Sequence, residues 1–346
     1  MDEFDPNAAA APDSGVFGLP GSPEESAIVL IPVPWEATAS WRGGTAGGPA
    51  AILAASRQID LYDLKAGRAY EAGIAMLDEP KKVRRWNRRA REQASKIIEC
   101  AGLGPPSAEL VRALARVDDL SGRLNRWVEK TARRWLNRGK IVGVVGGDHS
   151  TPFGAIKALA ARCPGFGLLH LDAHADLRRT FEGFRWSHAS IMDNVLEEVP
   201  QVTRLVQVGV RDFCEEEHDR ARAMPDRVTV YFDADLQEGR FGGRAWPDLS
   251  DEIVGNLPHD VYVSFDVDAL DASLCPHTGT PVPGGLSFDE AVWLIATVVR
   301  SGRRIVGFDL CEVAPGSDGT DWDANVGARL LYKMCLWAIM GGRQGG

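Results

Sequence analysis

The stretch GLLHLDAHAD, residues 167–176, combines a signal for the fold with a signal for chemistry. Residues 167–171 form an apolar run that only His170 interrupts, a pattern typical of a strand that is covered on both faces in a parallel sheet. Asp172, His174 and Asp176 follow at once, and side chains at i, i+2 and i+4 of an extended segment project to the same side. The stretch therefore predicts a buried strand that ends in two carboxylates and an imidazole.

Further apolar runs of this kind occur along the chain at 27–33, 141–145, 205–210, 228–232, 261–265 and 305–308. Helical segments are predicted between them at 49–63, at 107–138, and at 289–300 behind a capping box at 287–290. Strands that alternate with helices indicate βαβ units. The predicted fold class is α/β, with three layers and a central, mostly parallel sheet flanked by helices.

The composition along the chain separates an arm from one domain. Residues 1–25 are rich in Ala, Pro, Asp and Ser and predict an irregular N-terminal arm. Residues 26–346 are expected to form a single domain with a helical insertion around 66–140. Within it, 66–104 interrupts the alternation of strands and helices and is interpreted as an insertion or an oligomer contact.

The composition is that of an ordinary soluble globular protein, with 346 residues of which 45% are hydrophobic and 25% charged. No apolar stretch approaches the roughly 20 residues that cross a bilayer, and the acidic start differs from a basic signal peptide. Six scattered cysteines without a CxxC pair indicate reduced thiols. We therefore expect a cytoplasmic protein with no membrane partner.

The formal net charge of −9 argues against nonspecific nucleic-acid binding and favours a small cationic partner. The basic run at 81–91 is an exception to this acidic balance. It could form an anion-binding surface, but a solvated helix face or a subunit contact is the preferred interpretation because no nucleic-acid motif accompanies it.

Two more motifs place metal-binding residue types directly after apolar runs. GGDHS at 146–150 supplies His149, and SFDVD at 264–268 supplies Asp266 and Asp268. Ligands of parallel sheets bind outside the carboxyl ends of the strands, so these residues are expected at the same edge as those of residues 172–176.

These six donors indicate a metal site because a multivalent cation is the simplest means to keep several crowded carboxylates ionised. One ion cannot use so many donors, which predicts two ions bridged by carboxylates. Oxygen-rich ligands with imidazole and no thiolate suit Mn²⁺, with Ni²⁺ and Co²⁺ as competitors.

The segments that carry these residues resemble the signature motifs of the ureohydrolase family, which includes arginases and agmatinases. The matching segments are GGDHS at 146–150, DAHADLR at 172–178, SFDVDALD at 264–271, GTPVPGGLS at 279–287 and GFDLCEVAP at 307–315. The resemblance runs from about residue 28 to the end. It implies the arginase-like three-layer fold, two divalent metal ions per chain, Mn²⁺ or Ni²⁺, and a homo-oligomer, a trimer or hexamer. A homologous partner subunit is the alternative to the homo-oligomer.

The resemblance also implies roles for individual residues. It assigns the metal ligands as His149 and Asp176 for one ion, His174 and Asp268 for the other, and Asp172 and Asp266 as bridges. Glu312 would hold the guanidinium of the substrate, a planar cation that a carboxylate suits. His188, in WSHAS at 186–190, would move protons or touch the substrate, which an ordinary imidazole pKa permits. A salt-bridged core glutamate and a surface loop histidine are the structural alternatives.

The implied reaction is hydrolysis of a C–N bond in a guanidino compound. A hydroxide that bridges the two ions attacks the guanidinium carbon, and Asp176 protonates the departing nitrogen. The products are urea or a urea derivative plus an amine or ammonia. The alternative is a catalytically silent or regulatory subunit in a mixed oligomer. A two-metal phosphoesterase is disfavoured because Glu312 stands where phosphate would need a cation.

Substrate choice depends on segments that differ from the arginases. RRTFEGFR at 178–185 lacks the Asn and Ser/Thr donors that bind an amino-acid headgroup, so arginase activity is not expected. The early segment PWEATASW at 34–41 resembles a branch with agmatinases, guanidine hydrolases and biguanide hydrolases. Trp35 and Trp41 are candidates for cation–π contact or for packing, and Thr280 is a further substrate-binding candidate. His277 receives no role.

Overall fold

The computed structural model describes residues 4–100, 107–316 and 319–343. The first residues of the predicted arm and residues 101–104 of the predicted insertion lie outside this description. The described residues form eight strands: β1 (Ile28–Val33), β2 (Ile74–Met76), β3 (Ile141–Gly146), β4 (Phe166–Leu171), β5 (Val202–Val210), β6 (Val228–Phe232), β7 (Asp260–Asp266) and β8 (Arg304–Cys311).

All eight strands pair in parallel in one sheet, in the order β2-β1-β3-β8-β7-β4-β5-β6. Each of the seven predicted runs coincides with a strand, and the predicted α/β fold is confirmed. The prediction missed β2, whose three residues are too few to produce a recognisable apolar run.

Helices connect the strands and cover both faces of the sheet. They are α1 (Gly48–Ser56), α2 (Lys81–Ile98), α3 (Ala108–Leu136), α4 (Phe153–Ala160), α5 (Ile191–Glu198), α6 (Glu215–Arg222), α7 (Asp233–Phe241), α8 (Trp246–Gly255), α9 (Phe288–Arg300) and α10 (Trp322–Arg343). The predicted capping box at the start of α9 is present, because Ser287 Oγ accepts from Glu290 N while Glu290 Oε2 accepts from Ser287 N.

The three-layer arrangement follows from two apolar cores. One core lies between the sheet and α1, α8, α9 and α10. The other lies between the opposite face of the sheet and α3, α4 and α5, and α2 packs on α3 at its outer side. Burial of both faces accounts for the continuous apolar runs of the strands.

Helix α1 is shorter than the predicted helix over 49–63, since it ends at Ser56. The seven residues after Ser56 are used for tertiary contacts instead. Leu61 O accepts a hydrogen bond from Tyr332 and Asp63 forms an ion pair with Lys333, and both partners belong to α10. Contacts with α10 therefore override the local helical preference.

Two further features bear on the sequence-based expectations. Across the described ranges, no helix combines the length and the apolar character that a bilayer span requires. All six cysteines carry free thiols, as the scattered spacing predicts.

Candidate metal centre

Four neighbouring strands at the middle of the sheet, β3, β8, β7 and β4, deliver the candidate site. Their register is aligned at the carboxyl edge, because Leu171 pairs with Phe265 and Asp266 pairs with Cys311. Asp172, Asp266 and Glu312 therefore leave the sheet at the same level.

The first group of donors surrounds one ring nitrogen of His149. Nδ1 of His149 lies 2.9 Å from Asp172 Oδ2, 3.4 Å from Asp176 Oδ2 and 3.3 Å from Asp266 Oδ2. All four side chains are buried. Three carboxylates and an imidazole thus converge on one point.

The second group surrounds His174 and shares one carboxylate with the first. Nδ1 of His174 lies 3.0 Å from Asp268 Oδ2 and 3.4 Å from Asp172 Oδ1. Asp172 consequently presents one oxygen to each group. The structure brings all six predicted donors together, in two groups that meet at Asp172.

The carboxylates of this cluster are too crowded to remain charged unaided. Burial raises the pKa of Asp176 well above its ordinary value, and the charge of Asp172 adds to the effect. Burial and the charge of Asp268 do the same to the pKa of Asp266. Burial also acts to raise the pKa of Asp172, but the electrostatic interaction with His170 and hydrogen bonds from histidines outweigh it and hold that pKa well below its usual range.

The donor set fits a divalent metal site. Its atoms are carboxylate oxygens and imidazole nitrogens, which suit hard or borderline divalent ions, and a cation at each group would offset the repulsion among the buried anions. The residues that would hold such cations are His149, Asp172, Asp176 and Asp266 in the first group, and His174, Asp172 and Asp268 in the second.

A layer of buried polar side chains lies directly beneath the donors, and the sequence analysis did not identify it. Gln207 Nε2 donates to His170 Nδ1 at 2.9 Å, so the other ring nitrogen, Nε2, carries the hydrogen and donates to Asp172 Oδ2 at 2.9 Å. This chain fixes the orientation of the shared carboxylate.

A similar chain orients His149. Ser264 Oγ donates to Asp309 Oδ1 at 3.1 Å and therefore accepts from His149 Nε2 at 2.9 Å. This bond fixes the ring so that Nδ1 faces the three carboxylates. A signal for this layer exists in the sequence, because each member interrupts an otherwise apolar strand: His170, Gln207, Ser264 and Asp309.

Two of the predicted site residues have left-handed backbone. Asp176 has φ 53° and Glu312 has φ 63°, conformations that cost non-glycine residues about 1–3 kcal/mol and often occur at functional sites. Hydrogen bonds hold both in place, since Asp176 O accepts from Met192 N at 3.1 Å and Glu312 N donates to Gly147 O at 2.8 Å.

A cavity of about 170 Å³ opens above the second group of donors. It is lined by Ser40, His174, Asp176, Arg178, Phe181, His188, Ala189, Asp212, Glu217 and Thr280. Ser40, His188 and Thr280 also line a narrower recess that reaches Glu312 and has Trp41 at its wall. Because these three residues line both spaces, the cavity and the recess adjoin and form one cleft, which His174 and Asp176 line at one end and Glu312 lines at the other.

The structure changes the expectation for the pKa of His188. Burial lowers this pKa to about 4, and the charges of His174 and His149 act in the same direction. His188 is therefore a neutral imidazole near pH 7, and not a group that titrates there.

The two tryptophans lie in different environments. Trp35 has no exposed surface and packs in the core on the α3 and α4 side of the sheet, so it is a packing residue, and the expectation that it walls the substrate pocket is corrected. Trp41 is 76% exposed at the mouth of the recess. His277 lies beside the cleft, where its backbone N–H and Nδ1 both bind the buried Asp323 at 2.9 Å.

Comparison with known proteins gives consistent matches. A profile of the Arginase family matches residues 26–337. The N(1)-aminopropylagmatine ureohydrolase of Thermus thermophilus is 35% identical over 320 residues, which cover 92% of this chain and 92% of the relative. The agmatinase of Proteus mirabilis is 31% identical over 310 residues, 88% of this chain and 85% of the relative.

Solved structures match over similar lengths. Proclavaminate amidino hydrolase from Streptomyces clavuligerus has a TM-score of 0.72 at 22% identity, and the match covers 97% of this chain and 100% of that chain. The agmatine ureohydrolase of Thermoplasma volcanium has a TM-score of 0.69 at 21% identity, with 93% of each chain covered. These likenesses agree with the arginase-like three-layer fold.

Proposed function

Because this chain belongs to the arginase family, we propose that it cleaves a C–N bond of a small cationic guanidino compound at a centre of two divalent metal ions. At the coarser level of reaction class, the chain is a hydrolase of linear amidines. The observation that carries the proposal is the single cleft that joins the two donor groups to Glu312.

Glu312 is the proposed anchor for the guanidinium. Its Oε1 accepts a hydrogen bond from His149 N at 2.9 Å, which fixes the carboxylate relative to the first donor group. A Cβ at position 279 would lie 3.2 Å from Oε2, so glycine there keeps space beside this oxygen. A carboxylate held this way can accept N–H groups from a planar cation.

The other residues of the cleft have proposed roles around this anchor. Divalent cations, when bound, supply a water of lowered pKa and thus a nucleophile near neutral pH. Asp176 carries a proton to the departing nitrogen, and neutral His188, which lines both the cavity and the recess, forms hydrogen bonds with the substrate. Thr280 and Trp41 contact the rest of the substrate. The balance is one water consumed, with urea or a urea derivative and an amine or ammonia released.

Several finer features belong to the same proposal. The substrate is agmatine-like, free guanidine, or a substituted guanidine or biguanide, and relatives named for agmatine and N(1)-aminopropylagmatine support the agmatine-like class. The metal is Mn²⁺ or Ni²⁺, as the mixed oxygen and imidazole donors suggest. The enzyme is cytoplasmic and assembles as a homo-oligomer, a trimer or hexamer.

A substrate panel tests the proposal. The purified chain is loaded separately with Mn²⁺ and Ni²⁺, and release of urea, ammonia and amine is followed with agmatine, guanidinobutyrate, guanidine and metformin. We expect turnover of at least one compound, and a loss of at least about 100-fold in kcat/KM for Glu312→Gln because the guanidinium anchor is weakened.

The controls for this panel separate loss of the anchor from loss of the metal. Glu312→Gln should keep the metal content of the wild type, since Glu312 belongs to neither donor group. Absence of turnover with every compound at full metal content would contradict the proposal. Activity that appears only after a partner chain is added would instead support the regulatory-subunit alternative.

A further inference from the structure

One wall of the cleft is an irregular segment over residues 36–46, here called the wall loop. It contributes Ser40 to the cavity above the donors, and Ala39, Ser40, Trp41 and Arg42 to the recess at Glu312. Between Glu36 and Trp41 the segment contains no regular helix or strand. Its shape therefore depends on side chains that hold its backbone.

Glu36 holds the second half of the wall loop. Its Oε2 accepts hydrogen bonds from Gly44 N at 2.6 Å and from Ala46 N at 3.0 Å. The side chain of Glu36 binds residues 44–46 and not residues 37–39 of the first half, to which Glu36 contributes only a backbone hydrogen bond. The first half therefore needs other side-chain partners. These partners come from outside the wall loop.

Helix α2 supplies them with two side chains one turn apart. Asn87 Oδ1 accepts from Glu36 N at 2.9 Å, and Arg91 Nη1 donates to Ala39 O. Residues at i and i+4 lie on the same helix face, so both contacts come from one stripe of α2. The wall loop is thus fixed at two points, one on each side of residues 37 and 38.

The helix is a firm support for these contacts. Val83, Ala90 and Ala94 of α2 are fully buried, and α2 packs along α3. Within the described ranges, Arg91 has no carboxylate within ion-pair distance, although the charge of Glu182 interacts with it from further away. Its hydrogen bond goes to the carbonyl of Ala39 in the wall loop. Arg88 and Arg89 of the same helix are exposed.

We propose that Asn87 and Arg91 are positioning residues that hold the wall loop against the substrate cleft. This inference rests on the proposed function for its kinetic consequence. Arg91, the last residue of the basic run at 81–91, thus has a proposed role that differs from both an anion-binding surface and a solvated helix face. Since the wall loop contains none of the predicted metal ligands, its release should affect how the substrate is held more than the bond cleavage itself.

Hydrogen exchange tests the structural half without any substrate. Asn87→Ala and Arg91→Met are compared with Arg89→Met, which removes the same charge from the exposed face of α2. Exchange in peptides that cover residues 36–46 should be at least about 5-fold faster in the first two variants and unchanged in the third. Arg91→Lys keeps a donor and should restore slow exchange in part.

Kinetics test the functional half on the best substrate of the wild type. Arg91→Met should raise KM by about 10-fold with kcat changed by less than about 3-fold, and Arg91→Lys should recover part of the loss. Metal content and Tm should match those of Arg89→Met. Unchanged exchange in the wall loop would overturn the proposal, and so would faster exchange with an unchanged KM. If the wild type turns over no guanidino compound, the proposed function fails separately, and exchange still decides whether α2 holds the wall loop.

Discussion

At the residue scale, Asp172 joins the two donor groups. Its Oδ2 faces His149 Nδ1 at 2.9 Å, while its Oδ1 faces His174 Nδ1 at 3.4 Å. His170 orients the side chain by a hydrogen bond to Oδ2. A carboxylate held in this way can serve two cations at once, which makes it the most sensitive position of the site.

Asp309→Asn tests whether the buried polar layer tunes the donors. Asp309 is fully buried and accepts from Ser264, which in turn accepts from His149. Loss of the negative charge should make His149 a weaker ligand and reduce metal affinity about 10–100-fold in a folded protein. Titration calorimetry with Mn²⁺ measures this, with the exposed Asp226→Asn as control. An equal affinity for Mn²⁺ in both variants would show that Asp309 does not influence metal binding.

Asp260→Asn tests an ion pair at the opposite end of the sheet. Hydrogen bonds from Arg304 at 2.6 and 3.0 Å lower the pKa of Asp260 to about 2. A carboxyl whose pKa is lower in the folded chain adds stability above its unfolded pKa of about 4, and this stability is lost as pH falls towards 2.

The expected effect is modest because Arg304 is half exposed. Asp260→Asn should lower the free energy of unfolding by about 1 kcal/mol at pH 7, and the difference from the wild type should shrink between pH 4 and pH 2. Urea unfolding at several pH values measures it. A difference that stays constant down to pH 2.5 would contradict the assignment to the Asp260 charge.

The sequence predicts the donor residues of the site but not the buried polar side chains that orient them. Asp172, His174 and Asp268 are recognisable because carboxylates and imidazoles cluster after strands. Gln207 and Asp309 come from strands distant in sequence, and only the pairing of those strands brings them under the donors. Burial of His188, which removes its titration near neutral pH, likewise arises from the tertiary fold.

At the element scale, the turn after β3 depends on a close backbone contact. A Cβ at Gly147 would lie 1.9 Å from Trp35 O, and neither backbone segment can move without breaking the hydrogen bond from Asp148 N to that oxygen. This contact explains why a glycine stands two residues before His149.

Gly147→Ala should therefore lower the free energy of unfolding by about 3 kcal/mol or more, because the added methyl group has no space. Guanidinium chloride unfolding of the metal-free protein measures the loss. Gly255→Ala is the matched control, since a Cβ there meets nothing within 4 Å. Similar stability of the two variants would show that the turn can relax.

The boundaries of elements mark the limit of sequence-based prediction. The helix at 289–300 is predicted almost to the residue because its capping box is local. The end of α1 at Ser56 and the strand β2 are not, because the first follows from contacts with α10 and the second from pairing with β1. Boundaries that depend on neighbouring residues in the sequence are therefore predictable, whereas boundaries that depend on tertiary contacts are not.

At the scale of the whole molecule, the order of the strands creates the site. The chain order gives no indication that β8 lies between β3 and β7, yet this arrangement places Glu312 between the segments that carry His149 and Asp266. The sequence predicts that the site residues lie at the same edge of the sheet, but only the observed strand order shows which of them are neighbours along that edge.

Metal removal should destabilise the entire domain, because the donors come from β3, β4 and β7 and a bound ion ties these strands together. A ligand at about 1,000 times its Kd stabilises the folded state by about 4 kcal/mol, so EDTA should lower Tm by several degrees. Calorimetry before and after chelation measures this, and added Mn²⁺ or Ni²⁺ should reverse it. An unchanged Tm after complete metal removal would contradict the prediction.

The number of metal ions per chain is the most direct test of the proposed binuclear centre. Elemental analysis of the metal-loaded protein should find two divalent ions per chain, and Asp172→Asn should lose both because its oxygens face both donor groups. A wild-type content of one ion or fewer, or an unchanged content in Asp172→Asn, would contradict the account.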